Sequence, residues 1–428
     1  MARGADIAGA VHRPRRTTSS ERPDGGSGRR DDPTADVTSP RAALLVGSHP
    51  MPGQTFVNRH IERLFDGNTC IVSTDASSGA NPYSKAIHDL AASRTRGLGA
   101  LRGLPECIRN QRRYGTSRVP FGPGKEALRG FLRDEAVDVV LCEFGSRTAK
   151  IAPLAAEMGL PCYAYFRGRD ATEELRKPRR ARGYRNLLPL LDGVFAVSRY
   201  LLDQLAAAGL GHPNAHVVPS GVDIRRFRPG EKVARSCLAV GRMVEKKAPL
   251  TTVRAFALAS RDVPDAHLRF IGDGPLLPAA RALAHDLGIG ARVAFDGARP
   301  HEEVRAALSH AEVFVQHSVV GRSGDAEGLP TAIQEAMASG CLVVSTRHAG
   351  IPEAVEHGVN GWLSAEHDLA GFAAHLGDAL SGGHAAVAAA ARRTAEARFD
   401  NDVLLRRVED ELRRGIAARR AQARSGAP

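Results

Sequence analysis

Asp325-Ala326-Glu327-Gly328-Leu329-Pro330-Thr331-Ala332-Ile333-Gln334-Glu335-Ala336-Met337-Ala338-Ser339-Gly340 is the stretch around which the 428-residue chain is best ordered. It reads as a loop, a helix start, a short helix and a stop. Gly328 lets the backbone come close to a ligand. Pro330 suits a first helical turn, where its missing N–H costs nothing. The helix is expected over 331–338, with Gly340 at its C′ position, and Cys341-Leu342-Val343-Val344-Ser345 then reads as a buried parallel strand. Glu327 lies just before the helix and Glu335 about one turn inside it. A helix N-terminus carries free N–H groups and partial positive charge, a seat for phosphate. Carboxylates on either side accept strong hydrogen bonds from hydroxyls. Phosphate flanked by hydroxyls describes a sugar nucleotide. The plainer alternative is a surface acid and a solvated helix residue; the spacing and the intervening Gly-Leu-Pro favour the site.

This stretch resembles the E-x7-E motif of the retaining glycosyltransferases of family 4, with Glu327 and Glu335 in register. The resemblance implies an α/β protein of the GT-B fold: two facing Rossmann-like domains and a C-terminal helix crossing back to the first.

Composition allows two or three domains, each with its own core. The six cysteines contain no C-x-x-C pair and fall mostly in apolar runs, the pattern of buried free thiols in a reducing compartment. No apolar run reaches the 18 residues of a membrane span, and the first forty residues lack a signal-peptide core. The net charge of +12 is concentrated in the first half. Residues 85–133 hold 11 Lys/Arg against 3 Asp/Glu, and residues 147–185 hold 10 against 4. Such a distribution points to an acidic partner, an anionic membrane surface among them, or to a solvated Arg-rich face. Nucleic acid is disfavoured, because the basic stretches lack interleaved aromatics. The expected location is cytoplasmic, possible contact with the inner membrane face included.

In chain order, residues 1–40 read as a disordered arm. A first Rossmann-like, acceptor-binding domain is expected over 41–222. It opens with the strand from Ala42, a glycine-containing loop to Thr55, and a helix from Phe56. By resemblance that loop faces donor and acceptor, which places Gly53 and Gln54 near the site. Residues 161–165 read as a strand ending in Phe166-Arg167-Gly168-Arg169-Asp170. This resembles the family's H-G-x-D loop, with Arg167 in the place of a His beside the transferred sugar. Arg cannot act as a base at neutral pH, but it can hold a sugar or a phosphate; alternatively it pairs with Asp170 or Glu173. Gly221-Val222-Asp223 through Phe227-Arg228-Pro229 resembles the family's crossover between domains.

The second domain, 223–398, is expected to hold the sugar nucleotide. Gly241-Arg242-Met243-Val244-Glu245-Lys246-Lys247-Ala248 follows a strand, and two cations five residues apart can clamp a diphosphate. It resembles the family's G-R-x-x-x-x-K-G, with Ala248 in place of the last glycine. Gly274 lies in a glycine-rich turn on the same face. Ala298, in the run to His301, falls where the family seats the nucleobase. His317 is open between a ligand and a core-edge histidine. The last helix, 399–417, should pack on the first domain through Phe399, Val403 or Leu404, Val408, Leu412 and Ile416, with 418–428 a disordered tail.

The expected activity is hexosyl transfer from a nucleoside-diphosphate sugar to a glycan or lipid-linked acceptor, in exopolysaccharide or cell-envelope glycan synthesis. Glu327, Arg242, Lys247 and Arg167 are the catalytic candidates; Glu335, Gly328, Leu329, Pro330, Thr331, Gly274, Ala298, Gly53 and Gln54 are the donor-binding ones. No D-x-D motif is present, so neither a metal nor another cofactor is expected. The alternative is a catalytically weakened, sugar-nucleotide-binding or regulatory GT-B protein. Absence of G-x-G-x-x-G speaks against a dinucleotide oxidoreductase.

Overall fold

A computed structural model describes residues 39–48, 54–75 and 81–426. The disordered arm expected over 1–40 falls almost wholly outside the described residues, as does Gly53. The described residues form two parallel sheets. The first contains β1 (Ala42–Val46), β2 (Thr69–Ser73), β3 (Ile87–Asp89), β4 (Val139–Cys142), β5 (Cys162–Phe166), β6 (Gly193–Ala196) and β7 (Ala215–Val217), in the order 3-2-1-4-5-6-7. The second contains β8 (Val233–Val240), β9 (His267–Ile271), β10 (Val293–Phe295), β11 (Ala311–Val315), β12 (Leu342–Thr346) and β13 (Trp362–Ser364), in the order 10-9-8-11-12-13.

Both orders reverse at the first strand, between β1 and β4 and between β8 and β11. That is the switch point of a doubly wound sheet, where a crevice opens at the carboxyl ends of the strands. The chemistry of the strands explains the layering. Ala-Ala-Leu-Leu-Val in β1 and Val-Val-Leu-Cys in β4 are buried throughout, as strands covered by helices on both faces must be.

The basic stretch left unplaced by sequence resolves into β3 and three helices, Gly97–Arg102, Leu104–Tyr114 and Gly122–Asp134. The helix Asn401–Ser425 returns to the first sheet, burying Leu404, Leu405, Val408, Leu412 and Ile416 while Val403 stays exposed. Tyr163 Oη donates to the Glu411 carbonyl at 3.2 Å, and the Phe65 N–H donates to Glu409 at 2.7 Å. The helix does not end at Ala417, where a disordered tail was expected. It continues because Arg419 pairs with Asp192 at 2.7 Å and Arg420 with Asp138 at 2.6 Å. The two crossings between the sheets lie side by side: the Val222 N–H donates to the Phe399 carbonyl at 2.8 Å, and the Asn401 N–H to the Val222 carbonyl at 3.1 Å. Arg59 ties both to the first domain through Asn401 and the Ser220 carbonyl.

Candidate active site

The helix Thr331–Ala338 begins after Pro330, and the N–H groups of Leu329, Thr331 and Ala332 have no acceptor among the described residues. They are the orphan donors of a helix start. The loop before it is wedged between the domains. A Cβ on Gly328 would stand 2.4 Å from Val197 and 2.5 Å from the Arg167 carbonyl, so only glycine fits. Three further contacts cross at this level. The Ala326 N–H donates to Thr172 Oγ1 at 3.3 Å, the Gly221 N–H donates to Gln334 Oε1 at 2.9 Å, and Glu353 accepts from the Arg199 and Tyr200 N–H groups at 2.8 and 2.9 Å.

Glu327 is buried and faces two ammoniums, Lys247 Nζ at 3.1 Å and Lys246 Nζ at 3.9 Å. Burial opposes its ionisation, but the two lysines outweigh it and hold the carboxyl down at about 2. Its backbone N–H donates to His348 Nε2 at 3.1 Å. That nitrogen therefore carries no proton, and Nδ1–H donates to Glu366 at 2.6 Å. Lys247 also donates to Gln316 Oε1 at 3.0 Å, and burial pushes its ammonium below the ordinary lysine value.

Arg242 stands on the same loop, exposed, its charge felt by Lys247. Its guanidinium has no hydrogen bond or ion pair among the described residues. Ala248, where the family pattern has glycine, sits at φ 39°, in the left-handed region. Gly274, at φ 153°, packs its backbone on Met243, whose carbonyl oxygen would lie 2.6 Å from a Cβ. These loops follow β8 and β9, at the carboxyl edge.

Glu335 is buried and accepts from His301 Nε2 at 2.9 Å; that ring also lies 5.3 Å from Phe227. Ala298 is exposed just before this helix, His301–His310. The hydrogen bond to Glu335 raises the His301 pKa, with burial opposing. The pair is thus fully formed below pH ~6.5, the unperturbed imidazole value, and its contribution is lost as pH rises through the higher folded value. With the His301 side chain 40% exposed, the contribution is at most about 1 kcal/mol. His301→Ala should flatten the fall of the melting midpoint above pH ~6.5; an unaltered slope would show that the pair contributes nothing.

Arg167 does not project into the cleft. Its guanidinium lies in the wall of the first domain, between the Phe56 and Tyr165 rings at 4.1 and 3.8 Å, and donates to Glu143 Oε2 at 2.6 Å and Ser220 Oγ at 3.3 Å. Neither partner foreseen for it is right. Asp170 accepts the backbone N–H groups of Arg167, Gly168 and Gly145, and Glu173 is held by Arg169 at 2.8 Å. Glu143 was missed because it is 24 residues away from Arg167 in sequence. Gln54 precedes the helix Thr55–Arg63, with its side-chain oxygen buried and unpartnered among the described residues. His317 is a core-edge histidine, edge-on to Phe372 at 4.7 Å, and burial drives its pKa down to about 4. His348, His301 and Glu353 were also missed as site residues, because their partners lie 21, 34 and 154 positions away in sequence.

Comparison with known proteins agrees with this arrangement. Residues 89–226 match the model described as Glycosyltransferase Family 4, and residues 224–397 match Glycosyl transferases group 1. The amylovoran biosynthesis glycosyltransferase AmsK of Erwinia amylovora is 30% identical over 289 residues, 65% of this chain and 70% of that one. The putative colanic acid biosynthesis glycosyltransferase WcaL of Salmonella typhimurium is 32% identical over 250 residues; the chain spans 61% of its length. Among solved structures, HepE of Anabaena, determined with UDP and glucose, superposes with a TM-score of 0.67 at 17% identity, covering 87% of this chain and 99% of that one. The likeness to HepE shows the GT-B fold, and the sequence matches carry the assignment: this chain belongs to the family 4 glycosyltransferases.

Proposed function

We propose that the chain moves a sugar from a nucleoside-diphosphate sugar to a glycan or lipid-linked acceptor, with retention of configuration, in exopolysaccharide or envelope-glycan synthesis. The observation that carries this reading is the convergence of Arg242, Lys247 and the free N–H groups of the helix Thr331–Ala338 beside the buried carboxylates Glu327 and Glu335. As the bond from the sugar carbon to phosphate breaks, negative charge builds on the diphosphate, and donors fixed in place stabilise it. The acceptor oxygen forms the new bond on the same face, and its proton passes to the leaving phosphate. Glu327 orients the donor sugar, Glu335 accepts from ribose hydroxyls, and the run at Ala298 seats the base. The reaction so written calls for no metal. It would run in the cytoplasm, at the inner face of the membrane. The names of AmsK and WcaL support an exopolysaccharide role, and the UDP-glucose complex of HepE supports a nucleotide-sugar donor.

A second reading, binding without turnover, draws on Arg167. The family's loop histidine is replaced by a guanidinium already committed to Glu143. Melting the chain with UDP, GDP and ADP in parallel separates the two, once followed by a turnover assay. A ligand at a hundred times its Kd adds about 2.7 kcal/mol. A shift with one of them, lost in Glu335→Ala, is the expected result; no shift with any would remove the donor-site assignment.

A further inference from the structure

The first domain holds a second charged feature on the same carboxyl edge. Beyond the ends of β2, β3 and β4 lies a cavity of about 440 Å³, lined by Arg94, Arg96, Arg118 and Lys150 with Thr74 and Thr95 between them. No carboxylate is among its described lining residues. Among the described residues the guanidiniums of Arg94, Arg96 and Arg118 have no hydrogen bond or ion pair. Lys150 Nζ reaches the Thr74 carbonyl at 3.3 Å. Asp75 is engaged by Arg147 at 3.4 Å. Burial pushes the Lys150 ammonium below its ordinary value; Asp75 opposes this, and Arg147, Arg118 and Arg94 reinforce it. Asp75, itself engaged by Arg147, only partly offsets these like charges, and an anion with several oxygens relieves those that remain.

Exposed apolar side chains follow the cavity-lining Arg96 in the chain. The helix Gly97–Arg102 starts directly after Arg96, and with the helix Leu104–Tyr114 it exposes Leu98, Leu101, Leu104 and Ile108, Leu98 at 73%. A cationic seat whose lining runs on in the chain into exposed aliphatic side chains matches a ligand with a charged head and an apolar tail. A nucleic-acid strand would instead need cations along a groove with stacking aromatics.

We propose that this cavity seats the phosphate or diphosphate group of an amphiphilic acceptor, with its apolar chain across Leu98, Leu101, Leu104 and Ile108. The inference rests on the transferase reading, since it assigns that reaction's acceptor. The site lies on the edge of the first sheet that faces the crevice, on the domain opposite the donor loops.

The test uses the full chain and two probes, inorganic pyrophosphate and farnesyl diphosphate, followed by calorimetry. Arg118→Ala with Lys150→Met should weaken both probes at least tenfold, as expected for the loss of charged hydrogen bonds. Leu98→Ser with Leu101→Ser should weaken farnesyl diphosphate alone. All four positions are at least partly exposed, and an unchanged melting midpoint checks that the variants fold. Binding untouched by the charge variants, or abolished only by Arg242→Ala, overturns the proposal. So does charge-dependent binding to phosphatidylglycerol vesicles with no binding of farnesyl diphosphate, which would mark a general lipid surface. Nucleoside-diphosphate stabilisation, measured in the same variants, should be unchanged. Its absence from the wild-type chain would sink the donor reading while cavity-dependent farnesyl diphosphate binding still stood.

Discussion

Glu143→Ala is expected to destabilise the first domain by about 3–5 kcal/mol, the range for breaking a buried ion pair from one side. Glu143 is fully buried at the end of β4, and its two oxygens are both used. Oε1 accepts from His60 Nδ1–H at 2.6 Å, and Oε2 accepts from the Arg167 guanidinium at 2.6 Å. Removing the carboxylate leaves a guanidinium between two rings with no counter-charge and an imidazole with no acceptor. Burial works against ionisation of Glu143, but His60 and Arg167 outweigh it and hold its carboxyl below the usual value. Burial in turn depresses the His60 pKa despite the carboxylate.

Both shifts act in one direction. Unfolded His60 takes up a proton as pH falls below about 6.5, and unfolded Glu143 as it falls below about 4.3, while the folded groups resist. Wild-type stability should therefore fall on acidification in those two steps; Glu143→Ala should abolish the lower step and deepen the upper one, because the carboxylate that partly offsets the burial of His60 is gone. The chain has a single tryptophan, Trp362, in β13 of the second sheet. Far-UV circular dichroism reads both domains and tryptophan fluorescence reads the second, so an early loss of dichroism would locate the damage. An unchanged midpoint by both probes would refute the role given to Glu143. Replacing Glu143, His60 and Arg167 together with apolar residues should cost less than Glu143→Ala alone.

The same residues show where sequence stops being informative. The Asp325–Gly340 run was legible because its loop, helix and stop depend on neighbours a few positions away: Pro330 fixes a first turn and Gly340 takes a φ of 68°. The buried strands were legible because parallel sheets demand uninterrupted apolar runs. Placement of Arg167 depended on Glu143, Phe56 and Tyr165, held together by three different strand–loop units, and no local pattern encodes that meeting. His301 and Glu335 are 34 residues apart. Likewise, the end of the last helix is set by ion pairs of Arg419 and Arg420 to residues more than two hundred positions earlier, so an Arg- and Ala-rich stretch without apolar periodicity looked like a frayed tail. The helices between Gly97 and Asp134 were obscured by their glycines and by an apolar strip that faces outward.

Lys247→Ala should lower kcat/KM by about 10²–10³-fold, the usual cost of one preorganised donor to a developing anion. The same substitution removes the ammonium 3.1 Å from buried Glu327, leaving Lys246 at 3.9 Å. Glu327 is held at about 2 chiefly against the cost of burial by these two charges. The stability it contributes is present above the ordinary carboxylate value and is lost as pH falls through about 2. Without Lys247 the folded carboxyl moves back toward the unperturbed glutamate value of about 4.3, so the variant lacks this contribution already at neutral pH: variant and wild type should differ most in melting midpoint above pH ~5 and converge as pH falls toward ~3. Arg242→Ala supplies the contrast. Its guanidinium is exposed and unpartnered among the described residues, so turnover and nucleoside-diphosphate binding should fall while acid stability stays the same. Loss of turnover in both variants, with a lower neutral-pH midpoint and a flatter acid profile in Lys247→Ala alone, would mean that the cation pair acts on the ligand and that Lys247 also neutralises Glu327. Turnover within tenfold of wild type in both would instead remove this loop from the chemistry, whatever happened to stability.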